Sequence, residues 1–300
     1  MATNVPHPAF ETYAGEEVPQ ASPGSPGKTG ELELSFATDS DGQTRLVHDY
    51  ARVPFHVMGT LDHDPHPNAA TVCVQSPTGG IAQGDRLRSE VHVKPEAIAR
   101  VSTQSATKVQ SMDHNYASET TKLTADASSH LDYVPEPTIL HEDARFSRET
   151  TLSVSENATA IVSELLIPGR LARDECFDFE QYYSRFKVGT DDDLLFEDTT
   201  HLQPETVDPS APGIWADFSV YGTLYVVASH SNISELADQL YEHVALESGQ
   251  VGVTALPNDA GVMVRLLTER SEQAQTMIRN AWDTARRFLL NVGAPALRRY

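Results

Sequence analysis

The chain has 300 residues, 43 acidic and 22 basic, with a formal net charge of −21 at pH 7. This length allows a sizeable core within one large domain. The charge argues against a nucleic acid partner, because binding phosphates requires a basic surface. No run of 18 apolar residues is present, and the N-terminus has no basic segment followed by an apolar one. We therefore expect a cytoplasmic protein with no membrane partner.

The basic residues are unevenly distributed between the two types, with lysine at only five positions and arginine at the rest. An acidic, lysine-poor surface suits a salt-rich cytosol, since charge repulsion is screened when the Debye length falls to ~3 Å at molar salt. The composition thus predicts a halophilic acidic surface. An ordinary acidic protein is the alternative, and it would stay folded and soluble in low-salt buffer.

Residues 1–29 are rich in proline and glycine and show almost no apolar periodicity, which predicts a disordered N-terminal arm. From residue 30 onward, apolar and polar residues alternate, and the turn signal at 39–42 predicts a β-hairpin. We therefore assign residues 30–300 to a single β-rich domain. Further extended segments follow at a spacing near ten residues, which predicts stacked or sandwiched antiparallel sheets. These segments are 53–57, 70–75, 86–93, 98–104, 122–127, 130–133, 146–154, 159–167, 180–188 and 215–229.

The last third of the chain contains two helical patterns. Asn232 and Glu235 have the spacing of a capping box at the start of the first. The second pattern, over residues 271–292, keeps apolar residues at 3.6-residue spacing and ends before Gly293, which suits a C-terminal cap. The predicted fold is therefore mainly β, with two α-helices in the C-terminal third.

The sequence PTGGIAQGD at residues 77–85 places three glycines and a proline ahead of an alternating strand. A phosphate-binding loop is the first functional hypothesis, but neither GxGxxG nor GxxxxGK[ST] is present and no helix follows. Glycine permits positive φ and close backbone approach, so the segment is interpreted as a connection between strands.

Motifs of common hydrolases are absent, including the GxSxG elbow and the HExxH pair. The case for an enzyme rests only on scattered acids such as Asp85, Glu164 and Glu175. We expect a protein that is not an enzyme. A carboxylate-dependent hydrolase on a β scaffold remains the alternative, and an interaction protein without metal traffic is a third possibility.

Four ordered blocks spread over about a hundred residues resemble the UreD family of urease accessory proteins, also called UreH. A looser similarity extends from residue 30 to residue 300. The blocks are PTGGIAQGD at 77–85, TQSATKV at 103–109, VPEPTI at 134–139 followed by ARFSR at 144–148, and ELLIPGRLARDECF at 164–177.

The resemblance implies a nickel-insertion chaperone built from solenoid-like or sandwiched sheets with two helices. It also implies assembly with urease accessory proteins F and G, of which G is the GTPase, and docking on the urease apoprotein. Nickel would be transient cargo that moves through an internal water-filled passage, and no cofactor would be bound stably.

We hypothesise that Asp85, Glu164 and Glu175 line or border the nickel path, because weakly coordinating carboxylates in a wet channel pass a divalent ion without trapping it. The alternative is that these acids anchor turns. Their partners in that case would be the neighbouring arginines Arg86, Arg170 and Arg173.

Two positions depart from the pattern of the family: Asp174 stands where the family has glycine, and Glu136 precedes the second proline of the VPEPTI block. A non-glycine residue at positive φ is unfavourable, but Asp and Asn tolerate it best. We therefore expect Asp174 to adopt the left-handed conformation that the glycine would have adopted.

Overall fold

The structure is a computed structural model that describes residues 5–19, 26–244 and 249–296. It contains seventeen strands and three α-helices in these residues. The strands are β1 (Thr29–Thr38), β2 (Thr44–Arg52), β3 (Thr60–Leu61), β4 (Ala70–Val74), β5 (Arg86–Val93), β6 (Ile98–Thr103), β7 (Thr107–Val109), β8 (Ala117–Ala125), β9 (His130–Tyr133), β10 (Thr138–Leu140), β11 (Arg145–Val154), β12 (Thr159–Ile167), β13 (Gln181–Gly189), β14 (Leu194–Leu202), β15 (Val220–Val227), β16 (Gln250–Ala255) and β17 (Gly261–Thr268). The helices are α1 (Glu11–Ala14), α2 (Ile233–Val244) and α3 (Ser271–Leu290).

The strands form two stacked sheets between which the chain alternates. The seven-stranded sheet has the order β14-β13-β11-β8-β5-β1-β2, and the main path of the ten-stranded sheet is β16-β17-β15-β12-β9-β6-β4-β3. Each central coil of chain therefore contributes one strand to each sheet, as in β5 with β6, β8 with β9, and β11 with β12. The prediction of a mainly β, solenoid-like fold with stacked sheets is confirmed.

The predicted strand direction is wrong for the central strands. Neighbours are parallel from β1 through β5, β8 and β11 to β13, and from β4 through β6 and β9 to β12. Antiparallel pairs occur toward the ends of the sheets, as in β1 with β2 and β13 with β14. The outer face of the seven-stranded sheet is polar, so its parallel strands alternate in the way that is typical of antiparallel ones.

The core has two layers. Apolar side chains of both sheets meet between them, and α2 and α3 cover the outer face of the ten-stranded sheet. Both helices lie where the sequence predicts them, and the amide of Glu235 donates to Oδ1 of Asn232 at 3.3 Å as a capping box requires. No helix in the described part of the chain has the length and apolar character needed to cross a bilayer.

The N-terminal segment differs from the disordered arm that the sequence predicts. A 3-10 turn at Pro8–Phe10 leads into α1, and the fully buried Phe10 ring packs against Tyr116 and Tyr183. The hydroxyl of Tyr13 also donates to Glu180 at 2.6 Å. Isolated aromatic residues anchor this segment without any periodic pattern, so periodicity could not reveal them. The rest of the predicted arm includes residues 1–4 and 20–25, which lie outside the described residues.

Candidate functional site

A row of polar side chains crosses the inner face of the seven-stranded sheet. Glu119 of β8, Arg148 of β11, Ser184 of β13 and Thr200 of β14 are register partners on successive strands. Apolar clusters lie on both sides of this row. Because buried polar groups cost free energy unless they are hydrogen-bonded, a charged row in the middle of a core calls for a functional explanation.

The row meets a carboxylate from the opposite sheet. Glu164 of β12 accepts a hydrogen bond of 2.9 Å from the hydroxyl of Ser184 and another from the hydroxyl of Tyr182. Arg148 donates from Nε to Oε2 of Glu119 at 2.7 Å, and its Nη1 lies 3.6 Å from Oε1 of Glu164. We call these five residues the polar seam. It contains two carboxylates and one guanidinium.

Electrostatics fix the protonation of two members of the seam. Burial disfavours charge on Arg148, but Glu119, Tyr182 and Glu164 together raise its pKa, so the guanidinium stays protonated. Burial, followed by the charge of Glu164, raises the pKa of Tyr182 well above its ordinary value. Tyr182 is therefore a permanent hydrogen-bond donor to Glu164.

Two adjoining cavities that share part of their lining lie along the seam. The loop cavity, of about 150 Å³, is lined by Gly79, Gly80 and the segment 101–108, so the glycine-rich connection forms part of its wall. The seam cavity, of about 40 Å³, is lined by four members of the seam, Glu119, Arg148, Glu164 and Ser184, together with Glu136. Burial raises the pKa of Glu136. Residues shared by the two cavities are Thr103, Thr107, Glu119, Tyr133 and Pro135.

A third space opens where the two sheets end. The edge groove, of about 510 Å³, lies between β14 and β16 and is lined by Thr200, Trp215, Tyr221, Val251 and Arg265 among others. The three spaces together follow the interface of the sheets from the glycine-rich connection to the terminal strands.

Of the three acids predicted from sequence, only Glu164 lines one of these three spaces. Asp85 is fully buried and accepts hydrogen bonds from the amides of Lys28 at 2.8 Å and Ala82 at 2.9 Å. Nζ of Lys28 lies 2.9 Å from Oδ2 of Asp85, so this carboxylate joins the start of β1 to the glycine-rich connection. Its ionic partner is Lys28, whereas Arg86 donates only to the main-chain oxygen of Asp85.

Glu175 closes the turn over residues 168–177. It accepts from Nε of Arg170 at 2.5 Å and from the amide of Glu142 at 3.1 Å. Burial raises the pKa of Glu175, but the hydrogen bonds from Arg170 and the amides outweigh it and lower the pKa overall. The three acids therefore have separate partners, and two of them, Asp85 and Glu175, anchor turns as the alternative hypothesis describes.

The sequence reasoning missed Glu119 and Arg148. A signal was present, because Arg148 interrupts an inward-facing series on β11 that is otherwise apolar at Phe146 and Leu152. The expectation for Asp174 is confirmed, since its φ of 59° and ψ of 20° are left-handed. Within the described residues, no group of three or more His, Cys, Asp or Glu side chains could hold a metal ion.

Comparison with known proteins assigns the family. The family model described as UreD urease accessory protein matches residues 28–299. The chain belongs to the UreD family. A UreD relative from Haloarcula marismortui, named urease accessory protein UreD, is 54% identical over 300 residues and is covered completely, as is this chain.

Two further UreD relatives are more distant. A protein of the same name from Natronomonas pharaonis is 44% identical over 97% of this chain and 98% of its own length. Urease accessory protein UreD 2 from Streptomyces griseus is 34% identical over 93% of this chain and 96% of its own length. The similarity therefore spans both sheets and both C-terminal helices of the UreD fold.

Proposed function

We propose that this chain is an accessory protein of urease maturation, acting as a nickel-insertion chaperone and not as an enzyme. Ni²⁺ is its cargo and moves along the polar seam between the two sheets. The observation that carries this proposal is the series of cavities between the two sheets, with an excess of carboxylate in the lining of the seam cavity.

The chemistry of the seam suits transit of a cation more than storage. Carboxylate and hydroxyl oxygens from Glu119, Glu164 and Ser184 face the seam cavity, and its described lining contains neither histidine nor cysteine. Nickel prefers imidazole and other nitrogen or sulfur ligands for tight binding, so an oxygen-lined site releases the ion readily. Several weak sites in series favour conduction.

The size of the seam cavity adds a step to this transit. A volume of about 40 Å³ accommodates roughly three water molecules. A fully hydrated divalent cation is larger than this space, so Ni²⁺ exchanges part of its water shell for carboxylate oxygens of Glu119 and Glu164. Arg148 limits the strength of that binding because its positive charge lies next to both carboxylates.

The proposal includes the partners that the family resemblance implies. The chain would act in the cytoplasm, in a GTPase-dependent complex with accessory proteins F and G on the urease apoprotein. The names of the relatives support a role in urease maturation. No stably bound cofactor is required for this role.

The test measures nickel delivered to the urease apoprotein in a reconstituted system that contains the full accessory complex. Glu164→Gln keeps the size of the side chain but removes its charge, and we expect a several-fold slower gain of nickel and of urease activity. Glu149→Gln is the matched control, because Glu149 pairs with Arg185 on the outer face of the seven-stranded sheet, away from the seam. The control should deliver nickel at the normal rate.

Two outcomes would contradict the proposal. Urease that gains its nickel equally well without this chain would exclude the chaperone role. Normal delivery by Glu164→Gln together with Glu119→Gln, in complexes that assemble normally, would exclude the seam as the route. Turnover of a substrate by the isolated chain would instead favour the hydrolase alternative.

A further inference from the structure

Three side chains from three strands form a hydrogen-bonded chain from the lining of the seam cavity to the lining of the edge groove. Tyr225 of β15 lines the seam cavity, and Arg265 of β17 lines the edge groove. Asp198 of β14 lies between them, accepting a hydrogen bond of 2.6 Å from the hydroxyl of Tyr225 and contacting Nη2 of Arg265 through the same oxygen, Oδ2. We call these three residues the latch.

We propose that the latch closes the seam toward the edge groove, and that it opens when a divalent cation replaces the guanidinium of Arg265 on Asp198. The nature of the cation rests on the proposed function, whereas the existence of a closure does not. The latch is thus a control point for passage between the core and the surface.

Arg265 is the member that can move. Its side chain is 41% exposed, while that of Asp198 is 23% exposed. The edge groove gives the guanidinium room to turn outward, and Nε of Arg265 is buried without a hydrogen-bond partner. The guanidinium of Arg265 contacts Asp198 through one nitrogen, so this ion pair lacks the bidentate geometry that makes such pairs strong.

Tyr225 is the fixed member. Its ring packs against Phe186 with centroids 4.5 Å apart and against Phe196 with centroids 6.1 Å apart. Burial, followed by the charge of Asp198, raises the pKa of Tyr225, so the hydroxyl keeps its proton and remains bonded to Asp198. Opening therefore requires movement of Arg265 alone.

Charge balance makes an exchange more favourable than a simple opening. A half-buried carboxylate without a partner is costly, so Asp198 resists departure of Arg265 when nothing takes its place. A divalent cation arriving from the seam supplies the missing positive charge, and Arg265 returns when that cation leaves. The latch then opens in response to cargo and stays closed otherwise.

Access of a small reagent to the seam cavity tests the closure directly. Thr150→Cys places a reporter thiol in the lining of the seam cavity, and Thr200→Cys places one in the edge groove. Both are built into a full-length chain that carries Cys73→Ser and Cys176→Ser, which removes the native thiols. The probe is methanethiosulfonate ethylammonium, a small cationic thiol reagent, and the measurement is the rate of labelling in concentrated KCl.

Arg265→Ala should raise the labelling rate at position 150 by about tenfold, since a local closure controls access by its opening equilibrium, and change the rate at position 200 by less than about twofold. Asp198→Asn should give the same pattern and covers the case in which Arg265→Ala fails to fold. Arg185→Ala is the control, because it removes a similar ion pair, between Arg185 and Glu149, from the outer face of the seven-stranded sheet. It should change neither rate.

Equal labelling at position 150 with and without the latch residues, in folded chains, would overturn the proposal, because loss of the latch would then open no additional route from the edge groove to the seam cavity. This result is separable from failure of the proposed function. If reconstituted urease gains nickel without this chain but Arg265→Ala still speeds labelling, the closure stands and its cargo is not nickel. If delivery depends on the chain but labelling is unchanged, only the latch is excluded.

Discussion

The indole Nε1 of Trp282 donates a hydrogen bond of 3.0 Å to Oδ1 of Asp132, which joins the last helix to the middle of the ten-stranded sheet. Arg286, one turn further along α3, contacts the other oxygen of Asp132 and lies 2.5 Å from Oδ1 of Asp64. All these side chains are buried. Burial alone would raise the pKa of Asp132, but His130, Arg286 and Trp282 lower it.

The first prediction concerns this buried cluster. Asp132→Asn removes the charge of one of the two carboxylates, Asp64 and Asp132, that contact Arg286. We therefore expect a loss of about 3–5 kcal/mol in the free energy of unfolding. Urea denaturation in concentrated KCl measures it. Asp238→Asn on the exposed face of α2 is the control and should change stability by less than about 0.5 kcal/mol. Equal effects of the two variants would show that the cluster does not hold α3 in place.

The second prediction compares two adjacent glycines in the wall of the loop cavity. Gly80 has a φ of +122°, and a Cβ there would lie 2.4 Å from the main-chain oxygen of Lys108, whereas a Cβ on Gly79 would meet nothing within 4 Å. We expect Gly80→Ala to lower the free energy of unfolding by more than about 2 kcal/mol, because backbone strain and a clash with main chain add. Gly79→Ala should stay within about 1 kcal/mol of the parent. Similar urea midpoints for both variants would contradict the close approach at Gly80.

The third prediction concerns pH. The pKa of Glu175 is lowered in the folded chain from an ordinary value of 4.5, so its stabilising contribution is complete above that value and is lost as the pH falls through the lower, folded pKa. Glu175→Gln should cost about 1.5–3 kcal/mol at pH 7 and flatten the acid side of the stability curve. Glu142→Gln, exposed nearby, should leave the curve unchanged. A curve that keeps its acid slope in Glu175→Gln would assign that slope to other carboxylates.

The fourth prediction follows from the net charge of −21. Repulsion among acidic side chains weakens as the Debye length falls from about 10 Å at 0.1 M salt to about 3 Å at 1 M. We expect the urea midpoint to rise steeply with KCl over this range and to keep rising above it. Urea is uncharged and does not change the ionic strength. A midpoint independent of KCl would indicate an ordinary acidic protein.

The sequence predicted most of the local structure, because its signals are local. The hairpin of β1 and β2, both C-terminal helices and the left-handed Asp174 each depend on residues close together in the chain. The direction of strand pairing was missed, since alternation is the same in parallel and antiparallel strands when one face is solvated. Which strands pair, such as β5 with β8, depends on how the chain winds between the two sheets. No single segment of the sequence encodes that winding.

The candidate site was predicted only in part for the same reason. Glu164 was singled out within one of the family blocks, but Glu119 and Arg148 become recognisable only when β8, β11 and β12 are placed together. Asp85 and Glu175 carry the same charge as Glu164, and their different surroundings decide what they do. Asp85 accepts a hydrogen bond from an amide of the glycine-rich connection, and Glu175 accepts one from Arg170.

The alternation of the chain between two sheets has a consequence for how the molecule forms. Each parallel strand pairs with the strand that the preceding coil contributes to the same sheet. We therefore expect β8 to pair only after β5 is in place, and β11 only after β8. Nearest-neighbour dependence of this kind is typical of solenoids. A chain synthesised from its N-terminus can therefore add one coil at a time as it emerges. The last element, α3, then packs on a ten-stranded sheet whose strands are already paired.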